Sequence, residues 1–248
     1  MEDARFDAWM RSLEAMHLAD LTFSEVSRAL RALSSAYVER RARLSEGVAL
    51  SGAGKRAAFA LFYGPLHHLL IRHIVDTLPG AVQHVATIVD LGCGTGASGA
   101  AWAAACSGRP RLIGIDRHPW TLAQAAATYR AFGIAAQTRQ GDIATAALPK
   151  SPCAILAAFT VNELPDESRD ALKVRLLERA ANGDRVLVVE PVARLVTRWW
   201  GEWQKAFEEV GGRADEWRIH VELPPIVQKL DRAAGLDHRE LTGRSLWV

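Results

Sequence analysis

Cysteine is scarce in this sequence, and what there is cannot cross-link it: Cys93, Cys106 and Cys153 are odd in number and widely spaced. That excludes a disulfide framework and offers no paired metal-ligand spacing, so free thiols and no metal site are expected. Long apolar runs are missing too. Every one is broken by His, Arg or Gly well short of the roughly 20 residues that a spanning helix needs, so no membrane partner is expected. An excess of one charge is also absent, since 30 Lys and Arg stand against 28 Asp and Glu, a net +2. So small a balance does not imply nucleic-acid binding. Basic side chains do gather at Arg40, Arg41, Arg43, Lys55 and Arg56, where a solvated helix face explains them equally well. The start, Met1-Glu2-Asp3-Ala4-Arg5, lacks the basic and apolar parts of a secretion signal, and a cytoplasmic protein is expected.

Hydrophobic side chains, by contrast, make up 49% of the 248 residues, enough for a substantial core with an appendage. Residues 1–84 read as a helical cap. Phe6, Trp9, Met10, Leu13 and Met16 recur at steps of three and four, and a capping box of Thr22 and Glu25 opens a helix with Phe23, Val26, Leu30, Leu33 and Tyr37 on one face. A loop over Ser45 to Gly54 follows, then a helical stretch from Lys55 to Thr77 that Gly64-Pro65 kinks or divides.

Residues 85–248 read as an α/β core with a helical insertion at about 192–223. Short β-branched runs alternate with helices, the pattern of a mostly parallel sheet covered on both faces. Strands are expected at Ile88 to Leu91, Leu112 to Ile115, Ala135 to Arg139, Ala154 to Ala158 and Val186 to Glu190. Helices are expected from Ala97, from Pro119 and over Asp166 to Ala181, the last closed by Asn182-Gly183. Val196, Trp199, Trp200, Trp203, Phe207 and Val210 form an aromatic stripe at helical spacing, read mainly as packing. Trp217 to Leu223 reads as a strand or lid, Pro225 to Ala234 as a helix, and Thr242-Gly243 as the turn of a C-terminal antiparallel hairpin.

The chemistry concentrates at Val89-Asp90-Leu91-Gly92-Cys93-Gly94-Thr95-Gly96, a glycine turn between an apolar strand and a helix. Ligands bind at that edge of an open parallel sheet, and bare backbone lets them approach. Asp116 ends the next strand, where its carboxylate suits the two hydroxyls of a ribose. Asp142, in Gly141-Asp142-Ile143, follows the third strand and faces the place for an adenine amino group. Together these acids outline a nucleoside-shaped pocket.

This segment resembles the first motif of the class I S-adenosylmethionine-dependent methyltransferases, over roughly Thr87 to Glu190. The resemblance implies a Rossmann-like seven-stranded sheet whose last strand is antiparallel, with S-adenosyl-L-methionine as cofactor. It implies that Gly92, Gly94 and Gly96 line the methionine moiety, that Asp116 holds the ribose and that Asp142 and Ile143 flank the adenine. With Asp90, Cys93, Arg117 and Phe159 these form the candidate cofactor set. A rival stays open, because Gly94-Thr95-Gly96-Ala97-Ser98-Gly99 also satisfies the dinucleotide pattern of an NAD(P)-dependent oxidoreductase. None of Tyr37, Tyr63 or Tyr129 is followed four residues later by the Lys that short-chain dehydrogenases would require.

After the fourth strand comes Phe159-Thr160-Val161-Asn162-Glu163-Leu164-Pro165, beside the expected position of a transferred methyl group. Asn162 could orient an acceptor and Glu163 could take its proton, while Phe159 could lie against adenine or sulfonium; capping of the next helix is the competing reading for Asn162 and Glu163. Tyr63, His67, Glu190 and Trp199 are candidate substrate contacts. This phrase, with Val188-Val189-Glu190-Pro191, also resembles the methyltransferase-like proteins of the mitochondrial small ribosomal subunit and their bacterial relatives. That likeness implies ribosomal RNA or an assembling subunit as partner, and it brings in a second reading, a cofactor-binding assembly factor that transfers nothing. The chain departs from that group in lacking its cysteine cluster. The acceptor stays open between RNA, a protein side chain and a small molecule, and the oligomeric state is unspecified.

Overall fold

The computed structural model describes residues 2–39, 50–192 and 198–248. The side chain of Tyr37, residues Arg40, Arg41 and Arg43, the loop stretch 45–49 and Val196 lie outside the described residues. Among the described residues no helix is long and apolar enough to cross a membrane.

The helical start follows its apolar spacing. Helix α1 (Glu2–His17) buries Trp9, Met10 and Leu13, and α2 (Phe23–Glu39) buries Val26, Leu30 and Leu33. Met16 and Phe23, assigned to those faces by their spacing, are instead exposed at the helix ends. The capping box forms: the Thr22 amide donates to the Glu25 carboxylate at 2.8 Å, and the Glu25 amide to the Thr22 hydroxyl at 3.3 Å. Helix α3 (Ala53–Ala58) begins two residues before Lys55 and runs into a π-helical turn, Phe59–Tyr63, and then α4 (Gly64–Thr77). Pro65 lacks the amide that would bond Leu61, so the ladder widens just before it. Gly64 lets α4 press on the glycine loop, since a Cβ there would stand 3.2 Å from the Thr95 hydroxyl.

Seven strands form one sheet in the order β3-β2-β1-β4-β5-β7-β6. They are β1 (Thr87–Leu91), β2 (Arg111–Asp116), β3 (Ala136–Gln140), β4 (Ala154–Ala158), β5 (Arg185–Glu190), β6 (Arg213–Ile219) and β7 (Leu241–Trp247). The first five pair in parallel, while β7 runs antiparallel to both β5 and β6. Helices α5 (Ala97–Ala105), α6 (Pro119–Ala131), α7 (Asp166–Ala181), α8 (Trp200–Glu209) and α9 (Pro225–Ala234) complete the alternation. Strand residues alternate between two cores. Ile88, Leu156, Leu187 and Val189 pack on the side of α1, α2, α4 and α5, whereas Val89, Leu91, Ile155 and Val188 face α7 and α8. The reversed β7, set between β5 and β6, departs from the 3-2-1-4-5-6 order of a dinucleotide-binding sheet.

Two expectations need correction. Thr242-Gly243 is not a hairpin turn but lies inside β7, opposite Arg218 and Trp217. The glycine answers packing there, because a Cβ on Gly243 would come 2.9 Å from a Leu70 methyl of α4. The partner strand of β7 comes instead from within 192–223, read as a helical insertion, where among the described residues Trp200–Glu209 is the α-helical part and Arg213–Ile219 is the edge strand β6. Trp200, Trp203 and Phe207 are buried beneath the sheet as the stripe implied, whereas Val210 is exposed.

Two buried tryptophans provide a test. The Trp102 indole donates to the Ala81 carbonyl at 2.9 Å, while the Trp203 indole N–H meets no acceptor among the described residues. Replacing Trp102 by Phe therefore leaves the Ala81 carbonyl, among the described residues, with only the long contact to the Cys106 thiol, at 3.9 Å. Urea unfolding should find Trp102→Phe more destabilising than Trp203→Phe by about 1–3 kcal/mol.

Candidate active site

The carboxyl ends of β1, β2 and β4 open onto a cavity of about 510 Å³. Its floor is the glycine loop. The Gly92 and Cys93 amides both donate to the Ile115 carbonyl, at 2.8 and 3.0 Å, which folds the loop back over β2. Gly94 and Gly96 sit at φ 52° and 78°, the left-handed region where a side chain is strained. Their open sides face different ways. A Cβ on Gly94 would point across the cavity, 3.7 Å from the Phe59 ring, whereas one on Gly96 would collide with Tyr129 and Ala125 of α6 at 2.7 and 2.8 Å. Gly92 and Gly94 therefore line the cavity and Gly96 does not, a correction to the expectation that all three do.

Asp116 anchors this floor. One carboxylate oxygen accepts the Gly94 amide at 3.0 Å and the other accepts the His118 amide at 2.9 Å. The His118 ring in turn caps α6, its Nδ1 accepting the Trp120 amide at 3.1 Å. Asp90 lies one layer below, 1% exposed and absent from the lining, where it accepts the Gly99 amide at 3.0 Å. Burial pushes its carboxyl up to about 7, against the pull of the Gly99 amide and with help from the Asp116 charge. Cys93 lines the cavity with its thiol pushed up by burial. Arg117 stands exposed at the mouth.

Asp142 and Ile143 do not line the cavity. The Gly141 amide binds the Asp116 carbonyl at 3.1 Å, which brings the segment alongside, but the Asp142 carboxylate accepts the Ala144 amide at 2.8 Å and Ile143 is buried in the second core. Turn chemistry thus engages the acid that was expected to face adenine.

The opposite wall comes from the turn after β4 and from α4. Phe159 has φ 59°, rare for a bulky residue, and its amide is held on the Val189 carbonyl at 2.8 Å. That strained backbone presents its ring to His67, with centroids 3.9 Å apart and planes 15° from parallel. Burial holds the His67 imidazole down to about 3 and pushes the Tyr63 phenol up, Ser34 opposing the latter. His67 and His68 face opposite ways. His68 is buried against Phe6, Trp9 and Phe132 with Nδ1 3.3 Å from the Ala97 carbonyl.

Asn162 and Glu163 lie in the 3₁₀ turn Val161–Glu163, and both line the cavity with Glu190. The Asn162 amide is engaged at both ends: its nitrogen donates to Glu190 Oε2 at 2.5 Å, and its oxygen accepts the Trp199 indole at 2.9 Å. Glu190 Oε1 accepts the Val161 and Asn162 amides at 2.8 and 3.2 Å. Among the described residues that line the cavity Trp199 is absent, and its indole bonds the lining residue Asn162, with the Arg169 guanidinium 5.6 Å from its ring centroid.

Sequence reasoning missed Phe59, Thr95, Ser98, His118, Thr121 and Thr160 as lining residues. Thr95 and Ser98 were legible as parts of the glycine loop and the helix it opens. Phe59 was not, because only the packing of α4 brings the π turn across the sheet edge.

Residues 88–183 match the family model of a methyltransferase domain. No curated protein matches the sequence. Among solved structures, the mitomycin 7-O-methyltransferase MmcR is 16% identical over 96% of this chain and 71% of its own, with a TM-score of 0.51. The YcgJ protein of Bacillus subtilis is 13% identical over 73% of this chain and 97% of its own, at 0.48. The N-methyltransferase NodS of Bradyrhizobium japonicum, solved with S-adenosyl-L-homocysteine, is 16% identical over 73% and 84%, at 0.47. At such identities the likeness is one of fold. The domain match and the strand order together support an S-adenosylmethionine-dependent methyltransferase.

Two measurements check the electrostatics. Because Asp90 binds its proton more tightly folded than unfolded, stability should fall as pH rises from its ordinary 3.8 through about 7, and Asp90→Asn should flatten that fall in urea titrations. Glu190→Gln should cost about 1–3 kcal/mol, since a new amide nitrogen faces the Asn162 amide, which cannot turn without losing Trp199.

Proposed function

We propose that this protein transfers a methyl group from S-adenosylmethionine to a heteroatom of an acceptor. The observation that carries the reading is the glycine loop clamped on Asp116 at the floor of the cavity, on a sheet with the methyltransferase strand order. Size and donor chemistry agree with it. The cavity of about 510 Å³ suits a small-molecule ligand. Each oxygen of Asp116 accepts one amide and retains a lone pair for a sugar hydroxyl. The bare Cα of Gly94 leaves the width between loop and Phe59 that a side chain would fill.

When bound, the cofactor supplies an activated methyl group on a positively charged sulfur. The chain's own residues bind and orient. Asp116 fixes the sugar, Gly92 and Gly94 admit the ligand against backbone, and the rings of Phe59 and Phe159 offer faces to a cation. Such a site works chiefly by holding two reactants in line, so little acid or base machinery is needed. We assign proton acceptance to Glu163 and give Asn162 the task of bracing the turn, because both ends of its amide are engaged. The resemblance of Phe159 to Pro165 to the ribosomal group makes small ribosomal subunits one acceptor to assay beside small molecules.

Titration calorimetry with S-adenosylhomocysteine and with NADH, followed by labelled methyl transfer to lysate and ribosomal subunits, tests the reading. Binding of the first ligand and labelling of a product are expected. Binding of NADH alone would overturn it in favour of hydride chemistry, and cofactor binding without any labelling would favour an assembly factor. Asp116→Ala should weaken S-adenosylhomocysteine binding by about 1–3 kcal/mol, roughly 5- to 150-fold.

A further inference from the structure

The head of α6 holds an imidazole whose tautomer is set by its neighbours. His118 is the N-cap residue and Pro119 after it has no amide, so the cap takes the amide of Trp120, which donates to His118 Nδ1 at 3.1 Å. A ring nitrogen that accepts a hydrogen carries none of its own. In the neutral ring the proton therefore sits on Nε2. Backbone bonds fix the residue as well: its amide donates to Asp116 Oδ1 at 2.9 Å, and its carbonyl accepts the Thr121 hydroxyl at 2.6 Å. Because Nδ1 is turned into the helix, the edge that carries Nε2 is the part of this lining residue left for a ligand.

The sheet order shows which part of an adenosyl group this donor would meet. To one side of Asp116 lie the glycine loop after β1 and then Phe159, Asn162 and Glu163 after β4; to the other lie β3 and α6, which packs on β2 and β3. With the sugar on Asp116 and the sulfur towards β4, the base extends past Arg117, His118 and Pro119. Asp142, expected there from the sequence, is engaged by its own turn and absent from the lining. Pro119 has no polar side chain, and the Thr121 hydroxyl is occupied by the His118 carbonyl.

We infer that His118 recognises the base of the cofactor, its Nε2–H donating to a ring nitrogen of the adenine, so that one imidazole both caps α6 and selects the ligand. The inference rests on the methyltransferase reading of the same site. The ring nitrogens N1, N3 and N7 of adenine are all acceptors, which a fixed donor matches. A donor held by its own helix and by Asp116 needs no ordering when the ligand arrives. A base with C–H at the matching position leaves that donor unpaired, which is how such a contact discriminates.

Three analogues of S-adenosylhomocysteine, with C–H in place of N1, N3 or N7 of the base, test this by calorimetry on the unaltered protein. We expect one of them to bind about five- to tenfold more weakly than S-adenosylhomocysteine itself. His118→Asn keeps a cap for the Trp120 amide, since Asn caps helices well, but its shorter side chain stops short of the base. It should weaken S-adenosylhomocysteine by the same factor, leave the affinity of that one analogue unchanged and keep Tm close to that of the parent, a pattern that a merely structural role would not produce. Equal binding of all four ligands by the unaltered protein, or equal weakening of all four by His118→Asn, would overturn the inference. Failure of S-adenosylhomocysteine to bind would instead sink the methyltransferase reading, and the inference with it.

Discussion

The site is organised around one carboxylate. Asp116 ends β2, and its two oxygens take backbone amides from two segments, Gly94 of the loop after β1 and His118 at the head of α6. Hydrogen bonds to a charged acceptor are the stronger kind, and two of them aimed at one side chain fix a loop that glycine would otherwise leave loose. The loop curvature, the start of α6 and the floor of the cavity all follow from that convergence. What remains of the acceptor capacity of Asp116 is the capacity a bound sugar would use.

A second carboxylate does similar work on the other side of the cavity. Glu190, at the end of β5 and 1% exposed, gathers the Val161 and Asn162 amides and the Asn162 side chain, and Trp199 closes the chain of donors. Each link has its donor facing an acceptor, so the orientation of the Asn162 amide is determined by its neighbours. Polar residues near a reacting edge are thus mainly occupied in holding the edge. Glu163 is the carboxylate of that turn assigned to chemistry, and His67 enters from a different helix altogether.

That division has a structural source. The cofactor side of the cavity is made by strand ends and the loops that follow them, which the parallel sheet positions. The aromatic wall of Phe59, Tyr63 and His67 comes from the π turn and α4, which are packed across the sheet edge with Gly64 against Thr95. Choice of acceptor can therefore change with the helical layer while the sheet and its glycine loop stay as they are.

Much of this was legible in the residues alone. Apolar period set the helices and the central strands to within about a residue or two, the ordinary uncertainty of element ends. Three glycines in five residues after an apolar strand marked the ligand-binding edge, and Asp116 at the next strand end marked its partner, because local backbone chemistry suffices for both. Other assignments depended on contacts between distant segments. Gly243 looked like a turn residue and is a strand residue pressed by Leu70; Asp142 looked like a ligand and caps its own turn; Gly96 looked like part of the pocket and is covered by Tyr129. Sequence pattern records which residues prefer an extended, helical or turning backbone. Which side chain stands opposite them is decided only when the layers pack, and that is why tertiary structure had to pair β6 with β7 and bring His67 to Phe159.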